Sequence, residues 1–244
     1  MAPWLEPVRR LLEESAAHER VRAFWWRDDD AVVPGARLAS LFDRAADVGA
    51  RVAIAAIPSA ATPDLLRACE DAGAAVWQHG VAHINHQKSG KSAELGDARE
   101  PREIVDACVA VRERLHCAAF HPVMVPPWNR MRDDLGFALA FAGYTGVSRF
   151  GGPRKAGPML TELDTHIDPV CWRGARSLIS PEALAAQVER AAAQDGPIGL
   201  LTHHAVHDEA IDAFVAAFAR LVRDHPAAAW VSPSQALGRV GAEA

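Results

Sequence analysis

The stretch VRAFWWRDDDA, residues 21–31, joins an apolar run to three consecutive carboxylates. Residues 21–27 predict a buried β-strand, after which Asp28, Asp29 and Asp30 would follow directly. Three adjacent carboxylates at a buried strand end repel one another unless a proton or a cation intervenes. A metal ion is the simplest such cation. The plain alternative is a solvated acidic run or a helix N-cap.

The same arrangement, an apolar strand followed by a polar cluster, recurs along the chain. The predicted strands are 74–78, 120–125 and 198–202, and the clusters after them are HGVAH (79–83), PPWNR (126–130) and HHAVHD (203–208). Helical patterns alternate with these strands, which predicts an α/β fold with a parallel sheet covered by helices. About seven strand–helix units without a linker favour one barrel, whose strand ends converge on one face. The four clusters are therefore expected to meet.

His79 and His83 are spaced i,i+4, which on a helical turn places both imidazoles on one side. Two histidines and one carboxylate leave an open coordination position, as in hydrolytic metal sites. An HxxxH pattern also arises by chance or from core histidines. His86, three residues further on, is a ligand, a substrate contact or a rim residue.

The other candidate residues each have a structural alternative. Pro126 to Trp128 either belong to the site or end a strand with a packed indole. His203 directly follows the apolar run 198–202. It is either a titratable ring at the end of the strand or a buried histidine whose hydrogen bonds are satisfied. His166 and Asp168 share one face of a predicted strand, 163–168, and either border the site or serve structure. Asp208 is predicted to cap the following helix.

Composition excludes several classes of partner. The 244 residues carry 26 lysines and arginines against 31 aspartates and glutamates, a net charge of −5 without a basic block. We therefore expect no nucleic-acid or anionic-membrane partner. No apolar run is long enough to span a bilayer, and Glu6, Arg9 and Arg10 interrupt the region where a signal peptide needs apolar residues. A cytoplasmic protein is expected. Its predicted organisation is an amphipathic helix in residues 1–20, packed on a catalytic barrel of residues 21–244.

From about residue 22 onwards, the ordered motifs resemble the polysaccharide deacetylase superfamily (NodB homology, carbohydrate esterase family 4). The family's double aspartate matches Asp29-Asp30, and its HxxxH pair matches His79 and His83. Its Arg-Pro-Pro-Tyr segment is similar to VPPW (125–128), and its Leu-x-His segment is similar to LTH (201–203). Each motif alone is weak, but their order and spacing make the resemblance specific.

The resemblance implies a single distorted (β/α)7 barrel and a metal-dependent hydrolase. Such an enzyme would remove an N- or O-acetyl group from a carbohydrate-like substrate by metal-activated water. The residues implied as ligands of a divalent ion, preferably zinc, are Asp30, His79 and His83. Asp29 would be the base and His203 the acid. Substrate contacts are expected from Pro127, Trp128, Asn129, His86 and His166.

Two positions depart from the family pattern. Val125 stands where the family has the arginine that contacts the base, so Arg27 or Arg130 is expected to contact Asp29 instead. The family's aspartate-containing segment that ends in tryptophan is only loosely matched by residues 164–172. Two alternatives stay open: an allantoinase- or imidase-like C–N hydrolase on the same fold, and a non-catalytic saccharide-binding relative. The expected partner is a small carbohydrate or acylated small molecule, and the loops 87–99 and 150–160 carry no pattern that identifies it. The oligomeric state does not follow from the sequence.

Overall fold

The computed structural model describes residues 3–152, 157 and 159–242. The predicted loop 150–160 lies partly outside the described residues. None of the helices in the described part of the chain combines the length and the apolar character needed to cross a bilayer.

Eight parallel strands form one curled sheet within the described residues. They are β1 (Arg22–Ala31), β2 (Val52–Ala56), β3 (Ala75–His79), β4 (Phe120–Val125), β5 (Gly146–Val147), β6 (Thr161–Glu162), β7 (Ile198–Thr202) and β8 (Ala228–Trp230). The order of neighbours is β6-β5-β4-β3-β2-β1-β7, and β8 also pairs with β1. A bridge from Ile167 to Leu200 connects the segment after β6 to β7 and so joins the two ends of this order. The predicted α/β barrel is confirmed.

Helices connect the strands and cover the sheet. They are α1 (Glu6–Ala17), α2 (Ala36–Asp47), α3 (Pro63–Asp71), α4 (Pro101–Arg112), α5 (Leu135–Phe141), α6 (Pro181–Ala192), α7 (Glu209–Asp224) and α8 (Pro233–Ala242). Side-chain caps begin three of them: Thr62, Ser180 and Asp208 each accept the backbone N–H three residues later. Each cap satisfies a donor that the first helical turn leaves unpaired. The cap predicted at Asp208 is confirmed.

Alternation along β1 separates two apolar layers. Phe24 and Trp26 face the helices, where Phe24 packs against Phe218 of α7 with ring centroids 5.8 Å apart. Trp25 faces the barrel interior and lies 5.5 Å from the ring of Trp77. Because successive side chains of a strand point to opposite faces, the residues two and four positions after Trp25 also face the interior. This parity delivers Arg27 and Asp29 to the inside of the barrel.

The structure corrects the boundaries of β1. The strand continues through the three aspartates to Ala31, whereas the apolar pattern predicted that it ends at Arg27. Asp28 pairs with Ile54 and Ala31 pairs with Ala56, so the register shifts by one residue between them. This bulge places Asp30 in the left-handed region, with φ of 71°. Elsewhere, the predicted strand 163–168 is reduced to isolated bridges after the two-residue β6, and α8 has no counterpart in the prediction.

The N-terminal helix α1 packs on this barrel through one apolar face. Val8, Leu11 and Leu12 are buried in the same core cluster as Leu184 and Val188 of α6. The periodic spacing of these apolar residues explains why the segment is helical and where it docks.

Candidate metal and catalytic site

A cavity of about 780 Å³ opens among the ends of the strands and the loops that follow them. The residues from the predicted clusters that line it are Asp29, Asp30, His79, His83, Trp128, Asn129, Arg130 and His203. They come from β1, from β3 and its loop, and from the segments after β4 and β7. Convergence of strand ends therefore brings together side chains that are far apart in the sequence.

Asp30, His79 and His83 form a group that could hold a metal ion. Oδ1 of Asp30 lies 3.1 Å from Nε2 of His79 and 3.3 Å from Nε2 of His83. Nδ1 of His79 lies 3.0 Å from the carbonyl oxygen of Val125. Since a carbonyl only accepts, Nδ1 carries the hydrogen, and Nε2 of a neutral ring turns its lone pair towards the carboxylate.

Two electron-rich atoms that face each other at this distance repel unless a cation lies between them. Oδ1 of Asp30 is buried and has no hydrogen-bond partner among the described residues, as expected of an oxygen that can bind a cation. One carboxylate and two imidazoles are a donor set suited to zinc, and a backbone carbonyl on the second ring nitrogen is the usual support for a ligating histidine. The residues therefore fit a divalent metal ion.

The charges in this group favour the ligating forms of Asp30 and His83. Burial lowers the pKa of His79, but its contact with Asp30 outweighs burial and raises that pKa above its ordinary value. Burial opposes ionisation of Asp30, but His79, followed by His203 and His83, outweighs it and holds the pKa of Asp30 below its ordinary value. Partial burial, together with the neighbouring His79, lowers the pKa of His83. A carboxylate and a neutral imidazole are the protonation states that a metal ion requires.

The two histidines do not share a helical turn. His79 is the last residue of β3, and the segment 80–84 that follows it is an irregular loop in which Gly80 and His83 both have φ of 58°. A Cβ on Gly80 would lie 2.1 Å from Oε2 of Glu94 and 2.5 Å from Cγ of Pro127. Glycine at this position therefore permits both the left-handed turn and the close approach of these neighbours. The predicted helical geometry is wrong, although the two rings do meet.

Glu94 organises this loop and was not found by sequence reasoning. Its side chain is 1% exposed, and its carboxylate accepts three backbone N–H groups, from Val81 (2.9 Å), Ala82 (2.8 Å) and Ile84 (3.2 Å). These donors flank His83 on both sides. Glu94 lies in the polar, aperiodic segment 87–99, where nothing in the residue pattern distinguishes it from an exposed glutamate.

Asp29 is held by a buried arginine. Nε and Nη2 of Arg27 donate to the two carboxylate oxygens of Asp29 at 2.8 and 3.0 Å, and both side chains are at most 1% exposed. Arg27 also donates to Ser148 Oγ at 2.6 Å and to Asn129 Oδ1 at 2.8 Å. The prediction that Arg27 or Arg130 contacts Asp29 is confirmed for Arg27. Arg130 instead donates to the carbonyl oxygen of Ser92.

Asp28 has a different environment from the two aspartates that follow it. It is fully buried and accepts hydrogen bonds from Thr202 Oγ1 (2.7 Å) and from the backbone N–H of His204 (2.9 Å). The ring of His204 also contacts its carboxylate. Burial opposes ionisation, but His204 and Thr202 hold the pKa of Asp28 below its ordinary value. Asp28 does not line the cavity, whereas Asp29 lines it because of strand parity and Asp30 because of the bulge.

His203 lies across the cavity beside an aromatic wall. Its ring packs edge-on against Trp172, with centroids 4.6 Å apart, and the indole N–H of Trp172 donates to Asp168 Oδ2 at 2.8 Å. Burial raises the pKa of Asp168. The backbone N–H of His203 donates to Nε2 of His207 at 3.3 Å. The loosely matching segment 164–172 thus contributes Asp168 and Trp172 to the cavity.

Three predicted substrate contacts do not line the cavity in the described structure. His166 accepts the backbone N–H of Gly199 at 3.0 Å and borders a separate hollow, and burial lowers its pKa to about 4. His86 lies further along the loop that follows β3, and the ring of Pro127 packs closely against Gly80. The ring of Trp128 contacts that of His83, with centroids 4.2 Å apart, and Trp128 and Asn129 do line the cavity.

Comparison with known proteins shows a shared fold. No protein-family model and no curated protein matches the chain. A Mycobacterium smegmatis structure described as a candidate polysaccharide deacetylase superposes with a TM-score of 0.66 at 18% identity, covering 92% of this chain and 91% of that one. The family 4 carbohydrate esterase of Streptomyces lividans, in complex with acetate, superposes with a TM-score of 0.55 at 18% identity, covering 88% of this chain and 95% of that one.

A third solved structure is a mutant of BA3943, a family 4 pseudoenzyme with restored enzymatic activity. It gives a TM-score of 0.59 at 13% identity, covering 89% of this chain and 68% of that one. At these identities the comparisons establish the fold. The chain therefore has the distorted (β/α)7 barrel of the carbohydrate esterase family 4 deacetylases, as the sequence motifs predict.

Proposed function

We propose that this protein is a metal-dependent hydrolase that removes an acetyl group from the amide or ester of a carbohydrate-like substrate. The observation that carries the proposal is the meeting, in one cavity, of a metal-binding group with a buried Arg27–Asp29 pair and with His203. The fold shared with family 4 deacetylases supports the same assignment.

The ion would be held by Asp30, His79 and His83, and zinc is the preferred candidate because three such ligands leave an open position. A bound divalent ion supplies a Lewis acid that polarises the acyl carbonyl and lowers the pKa of a water molecule. Asp30 and His83 also form part of the cavity wall, so an acyl group that reaches this wall lies beside the ion site.

Asp29 is the proposed general base. Its carboxylate lines the cavity, while Arg27 occupies both of its oxygens from behind and compensates its charge. A bidentate guanidinium fixes the plane of a carboxylate, so Asp29 would be oriented before substrate arrives. It would take the proton from the attacking water as the oxygen bonds to the acyl carbon.

His203 is the proposed general acid. It would donate a proton to the nitrogen or oxygen that leaves when the acyl bond breaks, a transfer for which imidazole is suited near neutral pH. Trp172 packs edge-on against its ring, which would limit how far the ring can turn away. A backbone N–H near Trp128 would stabilise the oxyanion of the tetrahedral species.

The proposal is tested with protein purified without a histidine tag. We expect close to one equivalent of zinc by elemental analysis, and release of acetate from acetylated sugars that stops on chelation and resumes when zinc is added. Asp30→Asn is expected to lose both the metal and the activity. Release of acetate without metal, or by the Asp30→Asn variant at the wild-type rate, would contradict the assignment.

The same assay separates the two alternatives. An allantoinase- or imidase-like enzyme would open cyclic amides such as allantoin or hydantoin and release no acetate from sugars. A non-catalytic relative would bind zinc and saccharides but turn over neither class of substrate. The fold also occurs in a family 4 pseudoenzyme, so this outcome needs a direct test.

A further inference from the structure

Three cationic side chains line the candidate cavity, and we call them the cationic rim: Lys91, Arg130 and Arg176. Lys91 lies in the loop after β3, Arg130 follows β4, and Arg176 belongs to the loop between β6 and α6. Within the described part of the chain, none of the three forms an ion pair with a carboxylate. Their charges are therefore available to a ligand.

The carboxylates of the same cavity contact groups other than the rim cations. Arg27 pairs with Asp29, and the two imidazoles of the candidate metal group face Asp30. Asp168 accepts the indole N–H of Trp172 and the backbone N–H of Val170. The rim cations are thus not paired with the carboxylates of the cavity, in a chain whose net charge is −5. Their clustering is local and does not reflect a basic surface.

Contacts within the loops fix the side chain of Arg130 and the backbone segment that carries Lys91. Nη1 of Arg130 donates to the carbonyl oxygen of Ser92 at 2.8 Å, which joins its segment to the loop that carries Lys91. That loop is closed on itself, because the side-chain oxygen of Asn85 accepts the backbone N–H groups of Gln87 and Ala93 at 3.0 Å each. Preorganised donors lose less conformational freedom when they bind a ligand.

The rim also connects the cavity to a second space. Lys91 and Arg130 border an adjoining hollow of about 430 Å³, which Asp97 and Asp133 line as well. Within the described residues, neither aspartate comes within ion-pair distance of Lys91 or Arg130. A ligand with its acyl group at the metal site can therefore extend past two cations before it leaves the protein.

We propose that the natural substrate carries an anionic group, a carboxylate or a phosphate, which the cationic rim binds while the acyl group lies between Asp29 and His203. This inference rests on the proposed function and adds the substrate class. The guanidinium groups of Arg130 and Arg176 suit the planar or tetrahedral oxygens of such a group, and Lys91 adds a mobile point charge. Cations without a carboxylate partner also attract anions towards the cavity that they line.

The test uses three sugars that differ only at C6: N-acetylglucosamine, its 6-phosphate and its uronic acid. We expect kcat/KM for acetate release to be at least about 10-fold higher for one or both anionic sugars, and this preference to shrink as salt is added. Lys91→Ala and Arg176→Ala should each reduce the anionic-to-neutral ratio about 5- to 10-fold, mainly through KM.

Two residues of the same loops provide matched controls. Lys88 and Arg173 are exposed cations that are not among the residues lining the cavity, so Lys88→Ala and Arg173→Ala remove a charge close by without touching the rim. Both variants should keep the wild-type ratio. Equal kcat/KM for all three sugars, or a ratio that falls as much in the controls as in the rim variants, would overturn the inference.

A binding measurement separates this inference from the proposed function. If no sugar is hydrolysed, the proposed function fails, and tryptophan fluorescence then compares binding of glucosamine 6-phosphate with that of glucosamine. Trp128 and Trp172 line the cavity and report on its occupancy. Tighter binding of the phosphate, weakened by Lys91→Ala, supports an anion-binding cavity in a protein of other function. Equal binding of both sugars refutes the rim as an anion site.

Discussion

Replacing Glu94 should weaken metal binding more than it weakens the fold. Its carboxylate accepts the N–H groups of Val81, Ala82 and Ile84, and these residues flank His83 in a loop without helical or strand hydrogen bonds of its own. Hydrogen bonds to charged groups contribute about 1.5–3 kcal/mol each. Part of this is recovered in Glu94→Ala, because the loop is partly exposed and water can reach the freed donors.

We therefore expect the folded conformation of this loop to lose about 1.5–3 kcal/mol of stabilisation, roughly a third of the summed contribution of the three bonds. Only one of the three candidate ligands, His83, lies in the loop, whereas Asp30 and His79 lie on β-strands. A loss of this size at one ligand corresponds to about a 10- to 100-fold weaker metal affinity, a usual range for residues that support a ligand. Glu94→Gln keeps one oxygen as an acceptor and should fall between wild type and Glu94→Ala.

The assay is zinc binding to metal-free protein, measured by calorimetry in competition with a chelator, alongside thermal unfolding. Val222→Ala is the control, because Val222 is fully buried in α7 outside the cavity and its truncation lowers stability without touching the loop. A zinc Kd for Glu94→Ala within 2-fold of wild type would refute this reasoning. So would an equal weakening in the Val222→Ala control.

Three further predictions concern other parts of the barrel. Arg27→Met leaves the carboxylate of Asp29 buried without its partner. The free energy of unfolding, measured in urea, should therefore fall by about 3–5 kcal/mol. Unchanged stability would mean that Asp29 has another partner. His203→Ala should lower kcat about 10²- to 10⁴-fold while zinc content and melting temperature stay normal. A lower melting temperature with wild-type kcat would instead show that His203 serves packing. The pKa of His166 is lowered to about 4, so the unfolded chain binds a proton that the folded chain excludes. Stability should therefore fall as pH drops from about 6.5 towards 4. In His166→Gln the amide oxygen can still accept the N–H of Gly199. Thermal unfolding of this variant at different pH values should show a weaker pH dependence.

Apolar runs in the sequence were sufficient to predict most strands and the meeting of the polar clusters. The predicted strands 120–125 and 198–202 agree with β4 and β7, because each is a short apolar run that ends at a proline or a histidine. Parallel strands then place their ends at one face whatever the details of the loops. For this reason the metal group and His203 could be predicted together although more than 100 residues separate them in the sequence.

Features that depend on backbone hydrogen bonds could not be predicted. The bulge at Asp30 follows from the register between β1 and β2, and three identical residues in a row contain no information about where that register shifts. Glu94 is also invisible to pattern reasoning, because its partners are N–H groups of another loop, which every residue type possesses. The helical interpretation of the HxxxH pair was wrong since Gly80 and His83 turn the chain through left-handed conformations.

The replacement of the expected arginine at Val125 follows from strand parity. Residues i and i+2 of a strand face the same side, so an arginine two positions before an aspartate reaches its carboxylate without help from another strand. Arg27 makes this contact from β1 itself, in a bidentate pair that Ser148 and Asn129 extend. Val125 can then remain a buried apolar residue whose carbonyl oxygen binds the ring of His79. The same strand thus supplies the proposed base, its cation and, through the bulge, the candidate metal ligand Asp30, which makes the geometry of β1 the main determinant of the site.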